Sequence, residues 1–375
     1  MQETSGKSPS EPTDRHDLHE GDDNVTPDSG AIALPSHVAG SGTLDRLVET
    51  ARDFARQAAS ENTLKAYARD WAQFTRWCRM RGADPLPPSP ELIGLYIADL
   101  AAPQGQMAGK TSSQSASRPL SVASIERRLS GLTWGYAQRG QRLDRKDRHI
   151  ATVLAGIRRK HARPPVQKEA ILPEDLRDML ATLPHDLRGL RDRAILLIGF
   201  AGGLRRSEIV SLDHGKDDTP DSGGWIDILE GGALITLRGK TGWREVEIGR
   251  GSSDQTCPVH ALTQWLHFAR IDFGPIFTAV TRNGLKATKG RLSDKHVARL
   301  IKQTVEDAGL RPELPKAERL RLYSGHSLRA GLASSAEVDE RYVQKQLGHA
   351  SAEMTRRYQR RRDRFRVNLT KAAGL

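Results

Sequence analysis

Cysteine is nearly missing from this chain of 375 residues, which holds only Cys78 and Cys257. The two lie far apart and in no metal-ligand spacing. That excludes a disulfide framework and a structural zinc site, and it predicts a protein kept in a reducing compartment. Long apolar runs are missing too. No stretch approaches the roughly 18–20 apolar residues that a membrane-spanning helix needs. The opening Met1-Gln-Glu-Thr-Ser5 lacks the basic start and apolar run of a secretory signal. No membrane association and a cytoplasmic location are therefore expected. Aromatic residues make up 5% of the chain, within 37% hydrophobic residues in all. That is lean, yet enough for two small cores, and the length also predicts about two domains.

What is abundant is positive charge. The formal net charge is +12, but residues 1–40 hold eight acidic and two basic residues, a net of −6, so residues 41–375 carry +18. A body this basic attracts polyanions, of which nucleic acid is the commonest. Composition alone fits a merely soluble basic protein equally well.

Residues 1–42 are rich in Ser, Pro, Asp, Glu and Gly without apolar periodicity, so they read as a disordered acidic tail. Residues 43–160 read as an all-helical bundle of about five helices. Leu44, Leu47, Val48, Ala51, Phe54, Ala55 and Ala58 share one face of the first. Leu64, Tyr67, Ala68, Trp71, Phe74 and Cys78 form the stripe of the second, capped near Ser60 or Asn62 and closed by Gly82. Because these aromatics keep helical spacing, they are assigned to the core rather than to a base-stacking surface. Ser89-Pro90-Glu91 opens a third helix, and residues 101–119 read as a loop. Ile125, Leu129 and Leu132 mark the fourth helix, with Arg127 and Arg128 beside them. Ile150, Val153, Leu154 and Ile157 mark the fifth. Arg158, Arg159, Lys160 and Arg163 lead into a proline-ended linker over 161–169, placed to lie across a nucleic-acid backbone.

Residues 170–375 read as mostly helical with one small antiparallel sheet, so the chain as a whole is mainly α. Helices are expected from Pro173, over 192–200 ending at Gly202-Gly203, over 204–212, over 258–271, over 293–305, and almost throughout 326–375. Trp225–Ile228, Leu234–Leu237 and Trp243–Ile248 read as short strands. Arg238-Gly-Lys240-Thr-Gly242 forms the turn between the last two.

The C-terminal region places Ser324-Gly-His326-Ser-Leu-Arg329, Leu347-Gly-His349 and Tyr358 within a short span crowded with arginine. A phenol among so many cations suggests that an anion belongs there, and a DNA phosphate attacked by Tyr358 satisfies that reading. Such chemistry requires planar donors that grip the nonbridging oxygens, a role two arginines fill best. It requires a proton donor for the leaving oxygen, which a lysine on a turn can supply. It also requires a phenol activated by nearby cations, so that a covalent link stores the bond. Arg205 stands at a helix start, where backbone amides and the dipole also favour phosphate. Lys240 stands at a hairpin tip, and His326 and Arg329 are three residues apart on one helical face. Taken singly, each has a plain alternative: a solvated Arg205-Arg206 pair, a charged turn at Lys240, a helix surface at His326, a core or surface tyrosine at Tyr358. The ordered set is what points to chemistry.

The set resembles the tyrosine recombinases, or phage integrase family. Gly203-Leu-Arg-Arg-Ser-Glu208, Leu237-Arg-Gly-Lys240, Gly325-His-Ser-Leu-Arg-Ala-Gly331 and Leu347–Tyr358 are similar to that family's motifs over residues 170–375. The helical 43–160 segment resembles its core-binding, SAM-like domain. Tyr323–Arg329 and Phe277 to Gly284 are similar to the Cre-like branch, and His349 to the Xer and integrase branch. Met354 stands before Thr355 where many members carry paired threonines.

The resemblance implies that Arg205 and Arg329 clamp the phosphate and that Lys240 is the general acid. It further implies that His326 assists as acid and base, that His349 bonds the phosphate, and that Glu208 supports the site. Tyr358 would form a 3′-phosphotyrosyl link without metal, nucleotide or other cofactor. Duplex DNA recombination sites are the implied partner, in a homotetramer joined through the C-terminal tail (Phe365, Leu369, Ala372, Ala373) and associated with the nucleoid. Packing of that tail on its own domain fits as well. A type IB topoisomerase, a telomere resolvase and a catalytically silent DNA-binding protein are the alternatives.

Overall fold

A computed structural model describes residues 59–102, 119–164, 167–216, 221–239 and 242–348, with single positions at 44, 47–51, 54, 219, 351, 353 and 356. The acidic stretch 1–42, much of the first expected helix, most of the 101–119 loop and the C-terminal tail lie outside the described residues. So do Lys240, His349 and Tyr358. The chain divides into two compact units, Met1–Pro164 and Pro165–Leu375.

In the first unit, local capping sets where helices begin. The Ser60 hydroxyl accepts the Thr63 N–H at 3.3 Å and opens α1 (Glu61–Met80). Gly82, at φ 64°, takes the left-handed turn that ends it. Ser89 caps α2 (Pro90–Ala101), Ser121 caps α3 (Val122–Ala137) and Asp147 caps α4 (Arg148–His161). Trp71, Phe74, Tyr96 and Tyr136 join Ile93, Ile125, Leu129 and Ile150 in one core. Trp71 meets Tyr136 edge-on at 4.9 Å, and Phe74 meets Tyr96 at 5.1 Å. Trp71 and Phe74 of the expected stripe are thus core residues, while Tyr67 is half-buried beside them. Close approach of α1 and α3 depends on missing side chains: a Cβ at Gly135 would lie 2.2 Å from the Trp71 ring.

The second unit is built around α6 (Leu187–Ala201), whose residues Ala194 to Ile198 are all buried. It is preceded by α5 (Pro173–Ala181) and followed by α7 (Arg206–Val210). Strands β1 (Leu212–His214), β2 (Gly224–Ile228), β3 (Gly232–Gly239) and β4 (Gly242–Gly249) come next, then α8 (Pro258–Ala269) and β5 (Gly274–Pro275). The strands order as β4-β3-β2-β1-β5. Trp265 of α8 donates its indole N–H to the Ile276 carbonyl at 2.8 Å, tying α8 to the chain beyond β5. A hairpin of β6 (Thr278–Val280) and β7 (Ala287–Arg291) leads to α9 (Asp294–Asp307), α10 (Lys316–Leu322), α11 (Gly325–Ser335) and α12 (Glu340–Leu347).

Two expectations need correction. The sheet is mixed, because β1 runs parallel to β2 with Leu212 opposite Gly224, while its other pairings are antiparallel. The expected 204–212 helix stops at Val210, and Leu212 already belongs to the sheet. Leu212 is fully buried there, and a strand of three residues is too short to show a period of two. The short strands β5 and β6 escaped notice for the same reason, and the five residues of β7 bury no alternating face.

Candidate active site

Gly202 and Gly203 end α6 and turn the chain straight into Arg205, the residue before α7. Gly203 has φ 55°, and a Cβ there would lie 2.5 Å from Leu347, so the turn and its packing both call for glycine. The Glu208 carboxylate reaches back from α7 and accepts the Arg205 backbone N–H at 2.8 Å. Its other oxygen accepts from the Arg205 guanidinium at 2.6 Å. The helix therefore offers a phosphate less than its sequence suggests. It has only five residues, and the Arg205 N–H is already taken. What is presented instead is the Arg205 side chain, held by Glu208 and still partly exposed.

Arg329 comes from α11, whose first turn is fixed by Ser324 and Ser327. The Ser324 hydroxyl accepts the His326 N–H, and the Ser327 hydroxyl accepts the Ser324 N–H. Arg329 is 1% exposed; it donates to the Gly203 carbonyl at 2.7 Å and to the Leu347 carbonyl. It thereby ties the α6–α7 turn to the end of α12. His326, one helical turn earlier, keeps an exposed edge. Loss of surrounding water first, and then the charges of Arg329, Arg205 and Arg206, hold its imidazole below the usual histidine value of 6.5, against a smaller opposing effect of Glu208. The neutral ring is favoured. Arg205, Glu208, His326 and Arg329 are thus neighbours.

Two further arginines belong to this cluster and were not singled out from sequence. Arg206 pairs through Nε with Asp294 at 3.0 Å, and its side chain packs on Gly325 at the start of α11. Arg244, on β4 just past the lysine hairpin, donates to Glu208 at 3.2 Å and to the Gln346 carbonyl at 2.7 Å. Burial pushes its guanidinium pKa down, Glu208 pushes it up and Arg205 lowers it. A signal for Arg244 did exist. The alternation of β4 puts it on the same face as Val246 and Ile248, both buried, and a charge facing a core needs a partner.

The six basic residues proposed from sequence to touch nucleic acid divide in the first unit. Arg127 forms a two-pronged ion pair with Asp70, which is 2% exposed. Arg128 donates to the Tyr96 hydroxyl at 3.2 Å, and Arg158 pairs with Glu126 at 2.6 Å. Arg159, Lys160 and Arg163 are exposed.

The sequence model described as the phage integrase family matches residues 169–364, a stretch holding the whole cluster. An integrase/recombinase XerD homolog of Selenomonas ruminantium is 33% identical over 335 residues, covering 86% of this chain and 89% of that protein. The chain belongs to the phage integrase family. This tyrosine recombinase is also 28% identical over 310 residues to the tyrosine recombinase XerC of Xanthomonas axonopodis pv. citri, covering 80% of this chain and 86% of that one. Both relatives carry Xer names; His349 was read as similar to that branch, and Tyr323–Arg329 and Phe277 to Gly284 as similar to the Cre-like one. A crystal structure of a lambda integrase(75-356) dimer bound to a COC′ core site superimposes with a TM-score of 0.51. It has 18% identity and covers 87% of this chain and 96% of that one, a likeness of fold. No helix among the described residues is long and apolar enough to cross a membrane.

Proposed function

We propose that this tyrosine recombinase acts on specific duplex DNA sites through Tyr358, which attacks a phosphodiester and leaves a 3′-phosphotyrosyl link. The observation that carries the proposal is the convergence of Arg205, Arg329 and Glu208 around His326, in the unit whose sequence continues to Tyr358. Strand cleavage piles negative charge on the nonbridging oxygens, and fixed guanidinium groups stabilise that charge without reorganising. Arg205 donates one of its five side-chain N–H groups to Glu208, and its other donors have no partner among the described residues. Those donors suit one phosphate oxygen, and neutral His326 suits another or relays a proton. Lys240, on the hairpin between β3 and β4, protonates the leaving 5′ oxygen, and His349 bonds the phosphate. Arg329, expected from the sequence to be the second arginine of the clamp, is buried and donates to the carbonyls of Gly203 and Leu347, so in this reading it supports the clamp by fixing them. Because phosphotyrosine keeps the bond energy, rejoining needs no nucleotide.

The test uses a nicked duplex whose sequence has been selected by the full-length protein from a random oligonucleotide pool. A covalent protein–DNA adduct is expected, insensitive to chelator and absent in Tyr358→Phe. Adduct in the phenylalanine variant would remove Tyr358 from the role. A homotetramer on two duplexes, joined through the C-terminal tail and working at the nucleoid, completes the reading. Cross-linking on the selected DNA, with and without residues 359–375, tests the assembly.

A further inference from the structure

Arg244 occupies an unusual position for a strand residue. It points inward from β4, yet it ends against two other segments of the second unit. One terminal nitrogen reaches Glu208, the carboxylate that also holds Arg205. The other caps the Gln346 carbonyl in the last turn of α12, where helix carbonyls have no partner within the helix. Its Nε is buried without a hydrogen-bond partner among the described residues. The side chain lies flat against Gly348: a Cβ there would sit 2.8 Å from Arg244 Cδ and 2.9 Å from Nε. Gly348 itself has φ 59°, the turn by which the chain leaves α12. The Gln346 side chain strengthens the same joint by donating to the Ala201 carbonyl at 3.1 Å and the Glu247 carbonyl at 3.0 Å. One guanidinium thus touches the strand that starts at the lysine hairpin, the carboxylate that aims Arg205, and the backbone one residue before His349.

We propose that Arg244 is a positioning residue of the recombinase, whose two-pronged contact with Glu208 and the Gln346 carbonyl fixes Arg205 and the end of α12 relative to β4 and so to one another. The inference rests on the catalytic reading above. Only a planar fork satisfies both contacts while stacking on a glycine. A lysine keeps the charge, but as a compact ammonium on a flexible stem it does not hold two acceptors in fixed directions. A displacement of about 1 Å in such a constellation costs on the order of 10²-fold in rate.

The experiment measures single-turnover cleavage of the selected nicked duplex, together with its dissociation constant and the melting temperature of the protein. Arg244→Lys is expected to slow adduct formation by roughly 10²-fold while leaving duplex affinity within a factor of a few. Arg244→Ala is expected to be equally slow and to regain rate with added guanidinium ion but not with added methylammonium ion. A wild-type rate in Arg244→Lys overturns the proposal. So does a loss of rate that merely follows a loss of folded or DNA-bound protein, or an alanine variant that guanidinium does not rescue, since Arg244 is then a structural residue alone. If the wild-type protein itself yields no Tyr358-dependent adduct, it is the catalytic reading that fails, and the two failures are distinct.

Discussion

Glu208 is the acceptor shared by Arg205 and Arg244, and it lies almost wholly out of water. Replacing it with glutamine leaves the shape but removes the charge that two buried or half-buried guanidinium groups face. Glu208→Gln is expected to lower stability by about 1–3 kcal/mol, read from urea unfolding. An unchanged midpoint would mean that the carboxylate is not the anchor described. His326 offers a second measurement. Its folded pKa lies below the ordinary value, so as pH falls below about 6.5 the unfolded chain takes up the proton first. The native state therefore loses stability on acidification through that window and loses none above it. In Arg206→Ala one of the depressing charges is gone, and the imidazole pKa is expected to rise towards 6.5, followed by NMR titration of the ring. A value that stays put or falls would separate Arg206 from the site.

Among elements, α11 does the most to place the site, since it carries both His326 and Arg329. It is pinned from outside by the stretch that opens the second unit: the Ile171 N–H donates to the Ser327 carbonyl at 3.0 Å. The contact is close enough that a Cβ at Gly331 would lie 1.9 Å from the Ile171 carbonyl oxygen and 2.8 Å from the Phe200 ring. Backbone must move to admit it. Gly331→Ala is therefore expected to cost about 1–3 kcal/mol and to lower cleavage as α11 shifts, measured by thermal melting and by adduct yield. A neutral substitution would show that α11 is not seated against that strap. The sequence made most such helices legible, because caps such as Ser60, Ser89 and Ser293 and stripes such as Leu64 to Cys78 act within a few residues. It missed β1, because three residues paired to partners twelve positions onward carry no local pattern.

For the molecule as a whole, the charge excess becomes an electrostatic surface only after internal pairs are taken out. Arg127 and Arg158 are engaged with Asp70 and Glu126, whereas Arg159 and Lys160 stand exposed at the end of α4. Alanine at Arg159 or Lys160 is expected to reduce the salt dependence of DNA affinity by about one unit of slope each, measured by binding at several ionic strengths. Arg127→Ala is expected to leave that slope alone and to cost about 1–3 kcal/mol of stability, because Asp70 is left buried without its partner. The opposite result, a lost slope at Arg127 and none at Arg159 or Lys160, would place the DNA on a different face.

By itself the sequence determined the helical character of both units and the family, and it carries the residue types proposed here for phosphoryl transfer. All of these are written in local spacing or in the chemistry of single side chains. Only the tertiary structure decided which charges meet. Arg329 is joined to Gly203 across 126 residues and Arg244 to Gln346 across 102. One carboxylate, Glu208, turned out to serve two arginines from different elements. A buried guanidinium must find acceptors wherever folding brings them, and that choice belongs to the packing of α6, α11, α12 and β4 together.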